Sequence, residues 1–144
     1  MIDVSDKIFL CYAWEDTAEV ERVVTALERE LDIKIAENNE FATTKFEAND
    51  DTYRSIENSN IIILFITGAS KKTDYVKDCI IRAQNTNKNI LPIEIGKSLF
   101  TSMPAEFKFR TKPYNYNDKE ARGRLLLQLK ATLGVNIENG DEVG

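Results

Sequence analysis

Two short runs constrain the fold more than anything else in this chain. Lys7 to Tyr12, KIFLCY, and Asn60 to Thr67, NIIILFIT, are apolar at nearly every position. A strand with one wet face alternates apolar and polar residues. An unbroken apolar run therefore reads as a strand covered on both faces, as in a parallel sheet. Parallel neighbours cannot be joined by a tight turn and need a crossover, usually a helix. The segments that follow both runs supply one. After the first, Val20, Val23, Val24, Leu27 and Leu31 recur at helical spacing behind Asp16-Thr17-Ala18-Glu19, which has the spacing of a capping box. That pattern predicts a helix from Thr17 to Glu30. After the second, Val76, Cys79, Ile80 and Ala83 recur at the same spacing, with Thr73 in place as an N-cap.

The remaining segments extend this rhythm. Ile33 to Glu37, IKIAE, predicts a second strand. Asn38 to Asp51 is a polar loop carrying two isolated phenylalanines, Phe41 and Phe46, and is long enough to be functional or mobile. Thr52 to Asn58 reads as a short helix, and Gly68-Ala69-Ser70 breaks the third strand. Ile90 to Ile95, ILPIEI, is a fourth strand in which Pro92 cannot donate to a ladder, so an edge or bulged position is expected. Gly96 to Lys112 is irregular, and Tyr114 to Tyr116 predicts a short fifth strand. Asp118 then caps a last helix carrying Leu125, Leu126, Leu129 and Leu133, with Gly134 as its stop.

Strands alternating with helices imply right-handed crossovers and helices on both faces of the sheet. The predicted fold is a flavodoxin-like α/β three-layer sandwich with five parallel strands in the order 2-1-3-4-5. Residues 1–135 form the domain, and residues 136–144 are an acidic, glycine-containing tail or linker. Ligands of such sheets gather beyond the carboxyl ends of the strands, near the switch point between strands 1 and 3. That location selects Tyr12, Ala13 and Trp14, Glu37 with its following loop, and Thr67 to Tyr75.

Composition removes several classes of function. The net charge is −5 and the 19 basic residues are dispersed, so a nucleic-acid partner is not expected. No apolar run reaches the roughly 20 residues a membrane helix needs, and MIDVSDKIFL lacks a basic n-region. No membrane partner and a cytoplasmic location are expected. Cys11 and Cys79 lie in apolar segments without CxxC spacing, which argues against zinc and against a disulfide framework, so reduced thiols are expected. The chain has no histidine, hence neither the usual general base nor a Ser-His-Asp triad. Its chemistry is left to carboxylates, thiols, hydroxyls and backbone groups. No metal site and no tightly bound cofactor are expected.

Taken in order, the motifs resemble a Toll/interleukin-receptor (TIR) domain of the bacterial type. Phe9-Leu10-Cys11-Tyr12-Ala13-Trp14-Glu15-Asp16 is similar to the family's opening F-I-S-Y-S, acidic residue and helix. Ile56-Glu57-Asn58-Ser59-Asn60 resembles its I-x-x-S before an apolar strand. Ser70, Tyr75 and Cys79-Ile80-Ile81-Arg82-Ala83 take the places of its Ser, its Trp-containing helix start and its E-L-x-x-A, and Pro92 matches a strand proline. The resemblance runs from about Lys7 to Gly134. It implies self-association or assembly with other TIR domains, here expected through the loop Asn38 to Asp51 or the helix following Ser70. It also implies NAD as substrate or ligand, and a role in signalling or antiphage defence.

The resemblance places Cys79 where the enzymes of the family carry the glutamate beside the scissile nicotinamide-ribose bond. Cys11 and Ala13 stand where the opening motif has serines. Two readings of Cys79 stay open: a thiolate nucleophile, which would need a base or a strong positive field, or a small apolar filler at the rim of a buried helix face. Asp78, one residue away, projects off the apolar stripe and reads as exposed beside Arg82 rather than as a substitute acid. Glu37 is the best remaining carboxylate at the mouth, or else a solvated strand-end charge. Trp14, Phe41 and Phe46 either stack on a nucleotide base or pack locally. Arg54 and Lys71-Lys72 are phosphate contacts or solvated charges. Two functions of different classes follow: an assembly module in which catalysis is weak or absent, or an active NAD glycohydrolase or cyclase.

Overall fold

In the computed structural model of the protein, the described residues are 2–35, 50–70, 73–95 and 113–134. The strands are β1 (Ile2–Asp3), β2 (Ile8–Cys11), β3 (Ile33–Lys34), β4 (Ile61–Ile66), β5 (Asn89–Glu94) and β6 (Tyr114–Asn115). The helices are α1 (Thr17–Leu31), α2 (Asp50–Asn58), α3 (Asp74–Asn85) and α4 (Lys119–Leu133). All strand pairs described are parallel. The predicted Gly96 to Lys112 segment and the end of the second strand lie outside the described residues.

β4 is the axis of the molecule. All six of its residues are buried, and alternation sends them to opposite sides. Ile61, Ile63 and Phe65 join the cluster under α1 and α4, with Val24, Leu27, Leu125 and Leu129. Ile62, Leu64 and Ile66 join the cluster under α2 and α3, with Ile56, Val76, Cys79 and Ile80. Each fully buried aliphatic side chain contributes about 1.5–3 kcal/mol. A strand serving both layers is therefore where the sandwich is most sensitive. β2 pairs with β4 in the register Phe9↔Ile62 and Leu10↔Ile63, and β5 pairs on its other side with Leu64↔Pro92.

The predicted order is present with one change. The structure has a four-stranded sheet, β2-β4-β5-β6, and a two-stranded pair, β1-β3, in place of one continuous five-stranded sheet. The first strand position is divided by a 3-10 turn over Ser5–Lys7. Ser5 donates from both its backbone N and its Oγ to Asp3 Oδ1, at 3.0 and 2.7 Å. These two bonds hold the Asp3 carboxyl below its usual range. Such a local side-chain motif competes with ladder bonds and turns the chain. β3 consequently bonds to the segment before the turn, with Val4 N donating to Lys34 O at 2.9 Å.

Local chemistry explains the other boundaries. α1 ends at Asp32 in the left-handed region (φ 55°), and Glu28 on its last turn accepts from Ile35 N at 2.7 Å, tying the helix to the end of β3. Asp118 caps α4 by accepting from Ala121 N at 3.0 Å, and Gly134 closes it at φ 68°. Pro92 sits in an inner strand, yet its missing donor falls where, among the described residues, no partner strand lies. Ile95 N donates to Ile66 O, so odd-numbered residues of β5 bond toward β4. The even-numbered residues face β6, which pairs only with Ile93 and Glu94.

Phe65 is wholly buried and meets the ring of Tyr12 edge-on at 6.5 Å. Phe65→Ala is expected to cost about 3–5 kcal/mol in urea unfolding. Leu127→Ala, at a site 64% exposed, should stay within about 0.5 kcal/mol. Similar losses in the two variants would contradict the two-sided role of β4.

Candidate functional site

The carboxyl ends of β2 and β4 open onto the segments Tyr12–Asp16 and Thr67–Ser70, and α3 begins four residues beyond Ser70. A hydrogen-bonded knot holds these segments together. Thr67 Oγ1 donates to Asp16 Oδ2 at 2.5 Å. Ser70 N donates to Thr67 Oγ1 at 3.0 Å, Thr67 N to Ser70 Oγ at 2.8 Å, and Ser70 Oγ to Thr67 O at 3.0 Å. Thr73 Oγ1 reaches back to Ala69 O at 2.8 Å.

Asp16 corrects the capping-box expectation. It stands at the N-cap of α1 but makes no side-chain cap bond. The preceding residues Trp14–Asp16 form a 3-10 turn, and Asp16 takes φ −95° and ψ 9° instead of an extended conformation. Its carboxylate is thereby aimed across the strand ends at Thr67, a link that joins residues 51 apart in sequence. Partial burial raises the pKa of Asp16, the Thr67 bond opposes that rise, and Glu15 adds to it.

The sequence-selected residues separate into different environments. Tyr12 is buried against Phe65 on the α1/α4 side, whereas Ala13 is wholly buried on the α2/α3 side. Trp14, 44% exposed, stands at the mouth. Ser70 is wholly buried and its hydroxyl is spent on Thr67. Tyr75 is half-buried and packs against the α2/α3 cluster. Glu37, Phe41, Phe46 and Lys71-Lys72 lie outside the described residues. Arg54 donates to Asp51 Oδ1 at 2.9 Å on the exposed face of α2.

Cys79 has no exposed surface, and neither has Cys11. Both are free thiols in one cluster, β2 supplying Cys11 and α3 supplying Cys79. The two thiols interact, and that interaction, burial and the charge Cys79 would carry all push the Cys11 thiol up. Tyr75, one turn before Cys79, is held in its neutral phenol form by burial and then by the neighbouring Cys79 and Cys11. A thiol in such a dry apolar setting is packing material. Among the described residues its cluster holds no cationic side chain to supply the positive field that makes a nucleophile.

Asp78 lies on another side of α3. It is half-buried in a cleft of about 190 Å³ lined by Tyr53, Ile81, Arg82 and Asn85. Arg82, its expected i,i+4 neighbour, turns instead to α2. Its Nη1 donates to Glu57 Oε2 at 2.8 Å and its guanidinium stacks 4.3 Å from the centre of the Tyr53 ring. The aromatic ring and the carboxylate together offer Arg82 more than Asp78 alone does.

Two carboxylates at strand ends were passed over in the sequence. Asp16 is one. Glu94 is the other, 4% exposed at the end of β5 and in register with Ile66. Alternation with Ile93 places it on the α2/α3 side of the sheet. The available signal was a lone acidic residue at the carboxyl end of an apolar strand. Among the described residues no group of His, Cys, Asp and Glu is arranged to hold a metal ion. No described helix is long and apolar enough to cross a membrane.

Because the folded state binds a proton at Asp16 more tightly than the unfolded chain, this group's contribution to stability falls as pH rises through the interval above the ordinary carboxylate range. Asp16→Asn keeps an acceptor for Thr67 and removes the ionisation. Its melting temperature relative to wild type is expected to be higher at pH 7 than at pH 3.5. A variant that loses more stability at pH 7 than at pH 3.5 would contradict this account of the knot.

Comparisons with known proteins agree with this architecture. No curated protein matches the sequence. Among solved structures, the chain is similar to the TIR domains in the structure of the activated Roq1 resistosome directly recognizing the pathogen effector XopQ. The identity is 12%, the TM-score is 0.52, and the match covers 90% of this chain and 84% of that chain. The model of the TIR domain family matches residues 8–126, from the start of β2 into α4, and the chain therefore belongs to the TIR domain family.

Proposed function

We propose that this chain is a TIR signalling module, of the kind used in antiphage defence, that acts by assembling with itself or with other TIR domains and turns NAD over weakly or not at all. The burial of Cys79 carries this reading. By resemblance, that helix position presents a carboxylate to the ribose in the NAD-cleaving members. Here it holds a thiol without exposed surface, packed on Cys11. A carboxylate that stabilises developing charge or moves a proton contributes about 10² to 10⁴ in rate. A buried thiol supplies neither effect.

An NAD-type nucleotide still has a place to sit. Trp14 is exposed at the mouth and presents a ring to a base. Glu94, at the carboxyl end of β5, and Glu37, selected from the sequence alone, are the carboxylates to test, and Asp78 lines a separate cleft. Assembly is further supported by the likeness to TIR domains of a resistosome, which bears on this chain through fold alone.

Incubation with NAD should give no nicotinamide release above buffer for the wild type or for Cys79→Ala. Cys79→Glu alone should destabilise the fold, because a carboxylate enters an apolar cluster. Adding Cys11→Ser supplies a hydroxyl donor at the place of the family serine. The double variant is expected to show turnover at least about 10²-fold above wild type. Robust wild-type turnover that Cys79→Ala abolishes would overturn the proposal, as would robust turnover that survives it.

A further inference from the structure

We propose that Cys11 and Cys79 form a redox pair: oxidation joins them in a disulfide that staples α3 to β2, and reduction returns the two free thiols of the structure. The inference concerns a regulated state of the domain and stands whether or not the domain turns NAD over. Both cysteines are wholly buried and belong to one cluster on the α2/α3 side of the sheet. Cys11 is in register with Leu64 on β4, a member of the same cluster, so Cys11 lies on the sheet face that α3 covers. The two thiols interact across this seam. The rest of the seam favours close approach. Ala13 follows Cys11 by two residues, Ala83 follows Cys79 by one helical turn, and both are wholly buried in that cluster. Small side chains on both surfaces let a helix lie near a sheet, and a disulfide needs such closeness, with Cα atoms roughly 6 Å apart.

The chemistry balances with a low-molecular-weight disulfide, such as oxidised glutathione, as the oxidant. One cysteine thiolate attacks a sulfur of that disulfide, a mixed disulfide forms, and one glutathione leaves as its thiolate. The second cysteine thiolate attacks the protein sulfur of the mixed disulfide and expels the other glutathione. The protein loses two hydrogens, and two glutathione thiols gain them. Neither cysteine has exposed surface in the closed domain, so exchange proceeds from states in which α3 has lifted off β2. The pair therefore responds to a sustained change in redox conditions and ignores a brief one.

The new bond closes a loop that runs from the end of β2 through α1, α2 and β4 to the middle of α3. Closing a long loop constrains the unfolded chain far more than the folded one. The segment Tyr12–Asp16 leaves β2 directly after Cys11, and Tyr75 stands one turn before Cys79 on α3. Oxidation thus fixes α3 against the strand that leads into the mouth.

The test equilibrates the wild-type protein with mixtures of reduced and oxidised glutathione, once in low urea that permits opening and once in strongly denaturing urea. Acid quenching and peptide mapping by mass spectrometry read the products. The native protein should accumulate a monomer lighter by two hydrogens, with Cys11 and Cys79 in one linked peptide. Half-oxidation should need about tenfold less oxidised glutathione, or lower still, than the unfolded chain requires, because the fold holds the two thiols together. By linkage, the oxidised form should melt about 5 °C or more above the reduced form. Cys79→Ala should form no linked peptide and gain no stability under oxidising conditions. Half-oxidation of native and unfolded chains at the same glutathione mixture would overturn the inference. So would native protein that ends as glutathione adducts or cross-linked dimers, or an oxidised monomer that melts at or below the reduced one.

Discussion

Burial of one strand on both faces is the constraint from which the rest of the structure follows. Ile61–Ile66 has no wet side, so helices must cover it above and below and its neighbours must run parallel to it. Two helical layers then meet the same sheet, α1 with α4 and α2 with α3. The segments leaving the carboxyl ends of β2 and β4 meet where Asp16 reaches Thr67. The mouth is thus a by-product of the core, and its shape depends on how tightly α3 lies on β2 and β4.

At that seam the chemistry of the domain is decided. Cys11 points from β2 toward α3 and Cys79 from α3 toward β2, and both disappear into the apolar cluster. A small, weakly polar side chain allows this close packing, whereas a carboxylate at the same position would need water or a donor. Cys79 is thereby part of the core on the α2/α3 side of the sheet. The polar knot beside it fixes the two mouth segments to each other.

Much of the fold was legible because its determinants are local and periodic. The apolar runs gave the parallel strands, the spacing of Val20 to Leu31 gave α1, and Asp118 with Gly134 gave both ends of α4. The division of the first strand was not legible, because the Asp3–Ser5 bonds that cause it look like any polar pair in sequence. The site was read less well for the same reason. Asp16 followed by Glu19 has a capping pattern, but its partner is Thr67, which no local window includes. Helical geometry correctly set Cys79 beside Tyr75 and Asp78 off the apolar stripe. The thiol partner on β2 and the turn of Arg82 toward Tyr53 and Glu57 depend on tertiary placement.

The central claim is that Cys79 belongs to the core and not to a working cleft. Native-state thiol labelling, read by mass spectrometry at each cysteine over a series of low urea concentrations, tests it most directly. The account predicts that Cys11 and Cys79 label together, slowly in water, and at rates that rise in step with the unfolding equilibrium. Rapid labelling of Cys79 in the native state, while Cys11 stays protected, would place that thiol at the mouth and contradict the account.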